Sequence, residues 1–336
     1  MVTHSLIPIL VTGGAGYVGS HACKELAASG YLPIVYDNLI YGHREAVQWG
    51  PLEVGDLADR TLLNQVIDRY RPQAVMHFAA FTYVGESIAD PGKYYRNNVG
   101  GTLTLLEAMR DHSIERLIFS STAATYGTPE VVPIPEEATK APINPYGHSK
   151  LVAEQMISDF ASAHRLRATC LRYFNAAGAD PDGEIGENHV PEAHLIPLAL
   201  QAITGDASPL QIFGDDYPTP DGTCIRDYIH VCDLADAHVQ ALGKLEDREG
   251  ADAFNLGTGQ GSSVRAVLAA IEAITGKTVP HSLADRRSGD PAELVSNPAK
   301  AMRELGWKPV MSDLHSIIST AWAWHLKCNA HRGRID

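Results

Sequence analysis

The amino-acid sequence predicts an α/β fold, built on a doubly wound parallel sheet with a smaller C-terminal α/β lobe for substrate binding. Between Ile7 and Gly178, short apolar runs alternate with longer segments of helical period. The runs are continuous, which is typical of strands that helices cover on both faces. A glycine-rich turn directly follows the first run.

The expected strands of this sheet lie at residues 7–11, 33–36, 52–54, 74–78, 116–120 and 168–173. After Gly178, long polar loops such as residues 215–222 replace the tight connections, and loops of this length usually shape a binding site. A further apolar run at residues 253–256 is expected to return to the sheet. The expected division is a cofactor domain over residues 1–178, with a return of the chain around residues 227–260, and a second lobe over residues 179–336.

The composition excludes several classes of function. The net charge of −13 over 336 residues argues against nucleic-acid binding, which needs a basic face. The five cysteines are odd in number, far apart and without a Cys-x-x-Cys pair, so they indicate neither a disulfide framework nor a zinc site, and no metal is expected. No stretch reaches the roughly 18 to 20 apolar residues of a membrane helix, and the short run near the N-terminus does not fit a signal peptide. We therefore expect a cytoplasmic protein that binds no membrane.

The strongest local motif contains Gly13, Gly16 and Gly19, after the first strand and at the start of a helix. In this Rossmann-type arrangement the glycines allow a tight turn, close approach of a pyrophosphate and close packing of helix on strand. Asp37, about 20 residues further on, would accept hydrogen bonds from the adenosine ribose and repel a 2′-phosphate, which favours NAD over NADP. The alternative for Asp37 is a structural cap. Asp56, after the third strand, is interpreted as an adenine contact, with a helix cap as its alternative.

A second motif pairs Tyr146 with Lys150 on one face of a predicted helix. The preceding strand ends in Ser120, Ser121 and Thr122, at the sheet edge where ligands bind. A phenol has a pKa near 10, so it acts as a base at neutral pH only where positive charge favours the phenolate. Lys150 and the ring of oxidised NAD would supply that charge, and Thr122 would relay a proton. The alternative is a surface tyrosine beside a solvated lysine.

Together these motifs make the sequence similar, over nearly the whole chain, to the UDP-glucose 4-epimerase family of extended short-chain dehydrogenases. The matching segments are residues 12–21, 37–39, 77–80, 84–87, 94–101, 120–127, 146–150, 171–175, 213–217, 226–231 and 255–257.

The resemblance implies a set of binding residues. Catalytic roles fall to Tyr146, Lys150 and Thr122. The implied cofactor-binding residues are Gly13, Gly16, Tyr17, Val18, Gly19, Asp37, Asn38, Asp56, Leu57, Phe78, Ala79, Ala80, Phe81, Thr82, Asn98, Tyr146, Lys150 and Phe174. The implied substrate-binding residues are Thr122, Asn175, His194, Leu195, Gln211, Ile212, Phe213, Arg226, Arg287, Asp290 and Leu294.

Three of these substrate-binding residues also have a physical reason of their own. Arg226 and Arg287 can clamp a diphosphate, and Asp290 can accept a hydrogen bond from a ribose hydroxyl. For each of them a surface ion pair is the alternative.

The mechanism that the resemblance implies is a closed redox cycle on a UDP-hexose, between UDP-galactose and UDP-glucose. Tyr146 removes the proton of the sugar 4-hydroxyl, carbon 4 gives a hydride to NAD, and the 4-keto sugar rotates before both return. Such a cycle requires a retained cofactor and a firmly held uridine diphosphate. Related dehydratases and decarboxylases carry carboxyl side chains at positions that are Ala123 and Ala124 here, so elimination has no acid or base.

The residues leave the choice of sugar open. Leu294 aligns with a gate residue whose size decides whether an N-acetyl group fits, and leucine is intermediate. A UDP-pentose 4-epimerase would share the chemistry at carbon 4, and a non-catalytic NAD-binding regulator would share the fold. Thr82 replaces a lysine of some members, so its contact with NAD is an expectation from position alone. The resemblance also suggests a homodimer, formed by the helix after Asn98 and the helix that carries Tyr146.

Overall fold

A seven-stranded parallel sheet forms the centre of this computed structural model, which describes residues 6–287 and 290–332. The strands of the described chain are β1 (Ile7–Thr12), β2 (Tyr31–Asp37), β3 (Leu52–Val54), β4 (Ala74–His77), β5 (Arg116–Thr122), β6 (Arg167–Tyr173), β7 (Asn175–Ala177), β8 (Leu210–Phe213), β9 (Ile225–Arg226), β10 (Tyr228–His230), β11 (Ala251–Leu256), β12 (Ser262–Ser263), β13 (His281–Ala284) and β14 (Glu293–Leu294).

Helices cover both faces of this sheet and build the second lobe. They are α1 (Tyr17–Ala28), α2 (Arg60–Tyr70), α3 (Val84–Ala89), α4 (Pro91–Tyr94), α5 (Gly101–Asp111), α6 (Pro145–His164), α7 (Leu195–Thr204), α8 (Val231–Lys244), α9 (Val264–Thr275), α10 (Ala299–Glu304) and α11 (Leu314–Arg332). A π-helical turn, Tyr95–Gly100, precedes α5. In the part of the chain described here, no helix combines the length and apolar character needed to cross a membrane.

The strand order in the large sheet is β11-β6-β5-β4-β1-β2-β3. The order reverses between β1 and β4, since the chain first builds outward from β1 through β2 to β3 and then returns to β4 on the other side. A reversal of this kind opens a crevice at the carboxyl ends of the two central strands, where ligands bind. The doubly wound fold predicted from the sequence is confirmed.

The core shows why continuous apolar strands specify such a sheet. In β1, Ile9 and Val11 face one cluster, which also contains Leu26 of α1 and Leu234 of α8, and are at most 1% exposed. Leu10, between them, faces a second cluster with residues of α2, α5 and α6. Since successive side chains of a strand point to opposite faces, a continuous apolar run is what a strand covered on both faces requires over most of its length.

A third apolar cluster holds the smaller lobe together. It joins α7, α9 and α11 with the short strands β8 and β10. Of these strands, β8 pairs with β13, and β10 pairs with β7. Strand β7 directly follows β6 of the large sheet in the chain. The lobe is thereby packed beside the carboxyl end of the sheet. The exact division of the chain into two domains stays a prediction.

Candidate active site

A cavity of about 310 Å³ lies at the carboxyl ends of the strands, where β1 and β4 diverge. The turn after β1 forms its floor. Gly13 has a φ of +74°, and a Cβ there would lie 2.5 Å from the backbone nitrogen of Ala79, while a Cβ on Gly19 would lie 2.2 Å from the carbonyl oxygen of Gly13. Only glycine allows this close approach of turn, helix and neighbouring strand.

The start of α1 faces this cavity. The residue before the helix is Gly16, which has no side chain to cap the first N–H groups, so these remain available to a ligand. Backbone N–H groups at a helix N-terminus favour an anion such as a pyrophosphate. The turn therefore fits a dinucleotide.

Asp37 lies at the end of β2 and lines the same cavity. Its carboxylate accepts hydrogen bonds from the backbone N–H of Ala15, at 3.0 Å, and of Leu39, at 2.8 Å. Burial raises the pKa of this carboxyl group, and the two hydrogen bonds partly oppose the rise. Each carboxylate oxygen keeps a further lone pair for a ribose hydroxyl.

Asp37→Asn is expected to weaken NAD binding by about 10- to 100-fold, since a hydrogen bond to a charged acceptor contributes about 1.5–3 kcal/mol. Discrimination against NADP should fall as well, because the variant no longer repels a 2′-phosphate. Equilibrium dialysis of both cofactors measures the two effects. Asp68→Asn, an exposed aspartate on α2, is the matched control. Unchanged affinity and unchanged discrimination in Asp37→Asn would contradict the assigned role.

Tyr146 and Lys150 enter the cavity from the first turns of α6. Local sequence sets this start, because Pro145 occupies the first turn and the side chain of Asn144 accepts a hydrogen bond from the N–H of Gly147 at 2.8 Å. Opposite them, Thr122 ends β5 and lines the same cavity, with its hydroxyl close enough to Tyr146 to lower the pKa of the phenol. The structure thus brings together the three residues to which the sequence analysis gives catalytic roles.

The side chain of Lys150 is fixed by a hydrogen bond to strand β5. Its Nζ donates a hydrogen bond to the carbonyl oxygen of Ser120 at 2.8 Å, and the residue is 3% exposed. Burial lowers the pKa of Lys150 to about 7, although the carboxylate of Glu154 acts in the opposite direction. A lysine with this pKa exchanges a proton readily at neutral pH.

The pKa of Tyr146 is raised, because burial outweighs the opposing effect of the Thr122 hydroxyl. This differs from the expectation that Lys150 lowers the pKa of the phenol. The physical reason is the low polarity of the buried site, which disfavours a phenolate. The charge that ionises Tyr146 must therefore come in part from a bound ligand.

A buried ion pair supports this face of the site. Glu154 of α6 accepts hydrogen bonds from Arg172 of β6, at 2.8 and 2.5 Å, and from the hydroxyl of Ser121, at 2.5 Å. Arg172 also donates to the hydroxyl of Tyr126 at 2.9 Å. The pair ties α6, β5 and β6 together directly beside Thr122.

Most of the predicted cofactor residues line the cavity. They are Gly13, Gly16, Tyr17, Val18, Gly19, Asp37, Asn38, Leu57, Phe78, Ala79, Ala80, Phe81, Thr82, Tyr146, Lys150 and Phe174.

Two predicted cofactor residues lie outside this wall. Asp56 accepts hydrogen bonds from the side chain of Asn38, at 2.7 Å, and from the N–H of Ala58, at 2.8 Å. Asn98 is buried behind the wall, where its side chain bonds to the backbone of Phe81 and to Ser149. Their contacts with NAD stay predictions.

The predicted substrate residues fall into two groups. Thr122, Asn175 and His194 line the cavity. The second group lies in the smaller lobe and contains Leu195, Gln211, Ile212, Phe213, Arg226, Arg287, Asp290 and Leu294.

The second group has internal contacts of its own. Arg287 lies over the ring of Phe213, at 3.9 Å from its centroid. Arg226 forms an ion pair with Asp290. Leu294 packs in a cluster with Phe174, which itself lines the cavity, so this residue links the two groups.

Several cavity residues are not predicted by the sequence motifs. Some of them lie beside a predicted strand end, and that position is the signal that could have identified them. Glu187 and His189 belong to the pattern Glu-x-His-x-x-Glu-x-His, which is a second such signal. The unpredicted residues are Tyr36, Ile40, Tyr41, Gly42, Gly55, Tyr83, Asn97, Ser120, Tyr173, Ala176, Glu187 and His189.

A doubly wound sheet, a glycine-rich turn and a Tyr146–Lys150 pair around one cavity define an NAD-dependent enzyme of the short-chain dehydrogenase type. Residues 9–257 match the family model described as "NAD dependent epimerase/dehydratase family". The chain belongs to this family.

Individual relatives are similar over nearly the full chain. A UDP-glucose 4-epimerase of Rhizobium meliloti (strain 1021) is 53% identical over 321 residues, covering 96% of this chain and 98% of the relative. The crystal structure of UDP-glucose 4-epimerase from Brucella ovis in complex with NAD superposes with a TM-score of 0.92 at 54% identity, covering 94% of this chain and 98% of that one. The Bifidobacterium longum UDP-glucose 4-epimerase in complex with NAD+ and UDP has a TM-score of 0.91 at 39% identity, covering 95% and 98%.

Proposed function

We propose that this chain is an isomerase that interconverts UDP-galactose and UDP-glucose by NAD-dependent epimerisation at carbon 4 of the hexose. One observation carries the proposal: Tyr146, Lys150 and Thr122 share a cavity with the glycine-rich turn, in a chain that is 53% identical to a UDP-glucose 4-epimerase. The position of the hydroxyl groups at the carboxyl edge of the sheet supports a reaction on a bound sugar.

The proposed roles follow from the geometry. Tyr146 removes the proton of the 4-hydroxyl and later returns it, and Thr122, which lines the same cavity, relays the proton between the sugar hydroxyl and Tyr146. Lys150, fixed on the carbonyl of Ser120, orients the cofactor and supplies part of the positive charge that Tyr146 needs. When bound, oxidised NAD accepts hydrogen from carbon 4 and brings a positively charged ring beside the phenol.

Binding energy is proposed to come mainly from the uridine diphosphate, in the lobe over residues 179–336, whereas residues 1–178 hold NAD. Arg226 donates one hydrogen bond to the carbonyl of Ile225 and one to Asp290, which leaves further N–H groups of its guanidinium for a phosphate. Arg287, stacked on Phe213, is exposed at the same lobe. Holding the diphosphate and not the hexose lets the 4-keto sugar turn over within the site.

Rival reactions have less support. Ala123 and Ala124 offer no carboxyl group for elimination, and the relatives with the highest similarity described here are UDP-glucose 4-epimerases. Leu294 and Phe174 pack against the same apolar cluster beside the cavity, so the size of the accepted sugar is tested directly below.

The direct experiment incubates purified protein with UDP-galactose, UDP-N-acetylgalactosamine and UDP-xylose in separate reactions, without added cofactor, and separates the products by chromatography. We expect conversion of UDP-galactose to UDP-glucose to be the fastest of the three reactions. No conversion of any of these sugars, even after NAD is supplied, would contradict the proposal. Faster conversion of UDP-N-acetylgalactosamine or UDP-xylose would identify that sugar, instead of UDP-galactose, as the preferred substrate.

We also propose that the enzyme is a cytoplasmic homodimer. Cys23, Cys170, Cys224 and Cys232 are free thiols, which is compatible with a reducing compartment. On α5 and α6, which pack side by side, Leu103 is 40% exposed and Val152 is 41% exposed. Apolar side chains exposed on adjacent helices favour a two-fold interface.

Val152→Arg is therefore expected to shift the protein from dimer to monomer in sedimentation velocity, because a charge would be buried at the interface without a partner. Leu326→Arg, on α11 with 46% exposure, is the matched control and should leave the dimer intact. A Val152→Arg protein that sediments like the unchanged one would place the interface elsewhere.

A further inference from the structure

A cluster of metal-ligand side chains borders the cavity, and apart from His194, which is an expected substrate contact, its members have no role in the proposed chemistry. Glu187, His189, Glu192 and His194 each offer a ligand atom, and these atoms all lie within 4.8 Å of one another. All of them come from one short segment before α7, with the spacing Glu-x-His-x-x-Glu-x-His. The segment is rigidly positioned, so its side chains meet without a large rearrangement.

The segment is fixed by contacts to three other parts of the chain. The hydroxyl of Tyr83 donates to the carbonyl of Pro191 at 2.9 Å, and Nε2 of His43 donates to the carbonyl of Asn188 at 2.6 Å. The indole of Trp324 donates to the carbonyl of Glu187 at 2.9 Å. These contacts use backbone carbonyls of the segment. Within it, the carboxylate of Glu192 also accepts hydrogen bonds from the backbone N–H groups of Ala193, at 2.7 Å, and His194, at 2.9 Å, which fix its orientation.

The carboxylates of the cluster are deeply buried. The side chains of Glu187 and Glu192 are 7% and 5% exposed. Nδ1 of His194 lies 2.7 Å from Glu187 and 3.1 Å from Glu192, and Nδ1 of His189 lies 3.0 Å from Glu187 and 3.9 Å from Glu192. Two ligand atoms of a tetrahedral zinc site are about 3.5 Å apart, so these spacings already bracket the required geometry.

Charge and ligand type point to the same class of ion. As metal ligands the two imidazoles would be neutral, so that the two buried carboxylates would carry two negative charges, which one divalent cation balances. Without an ion, burial opposes the charged form of His194, but Glu187 and Glu192 raise its pKa to about 10, so a proton there supplies part of the balancing charge. Imidazole nitrogen together with carboxylate oxygen suits zinc better than magnesium or calcium, which prefer oxygen ligands alone.

We propose that Glu187, His189, Glu192 and His194 bind one zinc ion as a structural site at the edge of the active-site cavity. The ion would lock residues 187–194 and so fix the start of α7, where His194 and Leu195 are expected to contact the substrate. Four protein ligands leave no open position, as in structural zinc sites. The proposal departs from the expectation of no metal, which rested on the cysteines.

The test uses the full-length protein without an affinity tag, loaded with zinc chloride, freed of excess ion by gel filtration, and examined by inductively coupled plasma mass spectrometry. We expect about one zinc ion per chain, with no comparable retention of magnesium or calcium. Competition with a chromophoric chelator gives the dissociation constant. Glu192→Gln and His189→Gln should each weaken zinc binding by at least about 100-fold, since even outer-shell changes cost 10–100-fold.

His281→Ala, which removes an exposed histidine on β13, is the matched control and should keep the ion. Chelation should lower the melting temperature of the unchanged protein and of His281→Ala, but not that of the two cluster variants. Less than a tenth of an ion per chain after loading, or equal affinity in all variants, would overturn the proposal and leave protons on the histidines as the balancing charge. Tyr146→Phe should bind zinc normally, so failure of the zinc site and failure of the proposed catalysis are separable.

Discussion

Replacing Tyr146 with phenylalanine is expected to lower kcat for the interconversion of UDP-galactose and UDP-glucose by about 10²–10⁴-fold. The phenol of Tyr146 lines the cavity near Thr122, where it can take up the sugar proton. Phenylalanine keeps the packing of the ring against Tyr94, at a centroid separation of 6.5 Å, and removes only the proton acceptor. Steady-state kinetics with UDP-galactose measure the loss.

Two further measurements show that the loss is chemical. The variant should retain NAD and melt near the temperature of the unchanged protein, because no buried charge and little volume are altered. Tyr70→Phe, which removes a hydroxyl at the far end of α2, should leave kcat unchanged. A decrease of less than about tenfold in Tyr146→Phe would move the acid–base role to another group.

Replacing Glu154 with glutamine is expected to destabilise the fold by about 3–5 kcal/mol, because the guanidinium of Arg172 would remain buried without a compensating charge. The two side chains are 9% and 4% exposed, so water cannot replace the lost carboxylate. The amide oxygen of the variant is also a weaker acceptor than the carboxylate for the hydroxyl of Ser121, next to Thr122, so kcat should fall together with stability. Urea unfolding, followed by circular dichroism, measures the free energy of unfolding.

The matched control is Arg303→Gln, which breaks an exposed ion pair with Glu304 and should cost less than about 1 kcal/mol. The double variant Glu154→Leu with Arg172→Met removes both buried charges and should recover most of the stability. If the free energy of unfolding of Glu154→Gln lies within about 1 kcal/mol of that of the unchanged protein, the ion pair is not what holds α6 on the sheet.

The elements nearest the glycine motif were predictable because a single local rule determines each of them. Continuous apolar runs indicated the strands, and β3 has the predicted bounds. Strand ends shifted elsewhere, for example to include Thr12 in β1, since hydrogen bonding of a strand continues into polar residues that an apolar pattern excludes.

The far side of the site was less predictable from sequence. The pairing of Arg226 with Asp290 and of Glu154 with Arg172 joins residues far apart in the chain, and only the folded structure reveals such partners. Asn97 rather than Asn98 faces the cavity because a π-helical turn rotates this segment, and residue spacing alone does not reveal such a turn.

The closed redox cycle within one site is the central claim, and the fate of the hydrogen on carbon 4 tests it most directly. UDP-galactose carrying deuterium at carbon 4 is converted by the purified protein in ordinary water, and the UDP-glucose formed is analysed by mass spectrometry and NMR. We expect the product to keep the deuterium at carbon 4, because the same hydrogen is removed and returned to the same sugar. Product in which solvent hydrogen has replaced this deuterium would rule out a closed redox cycle within one site.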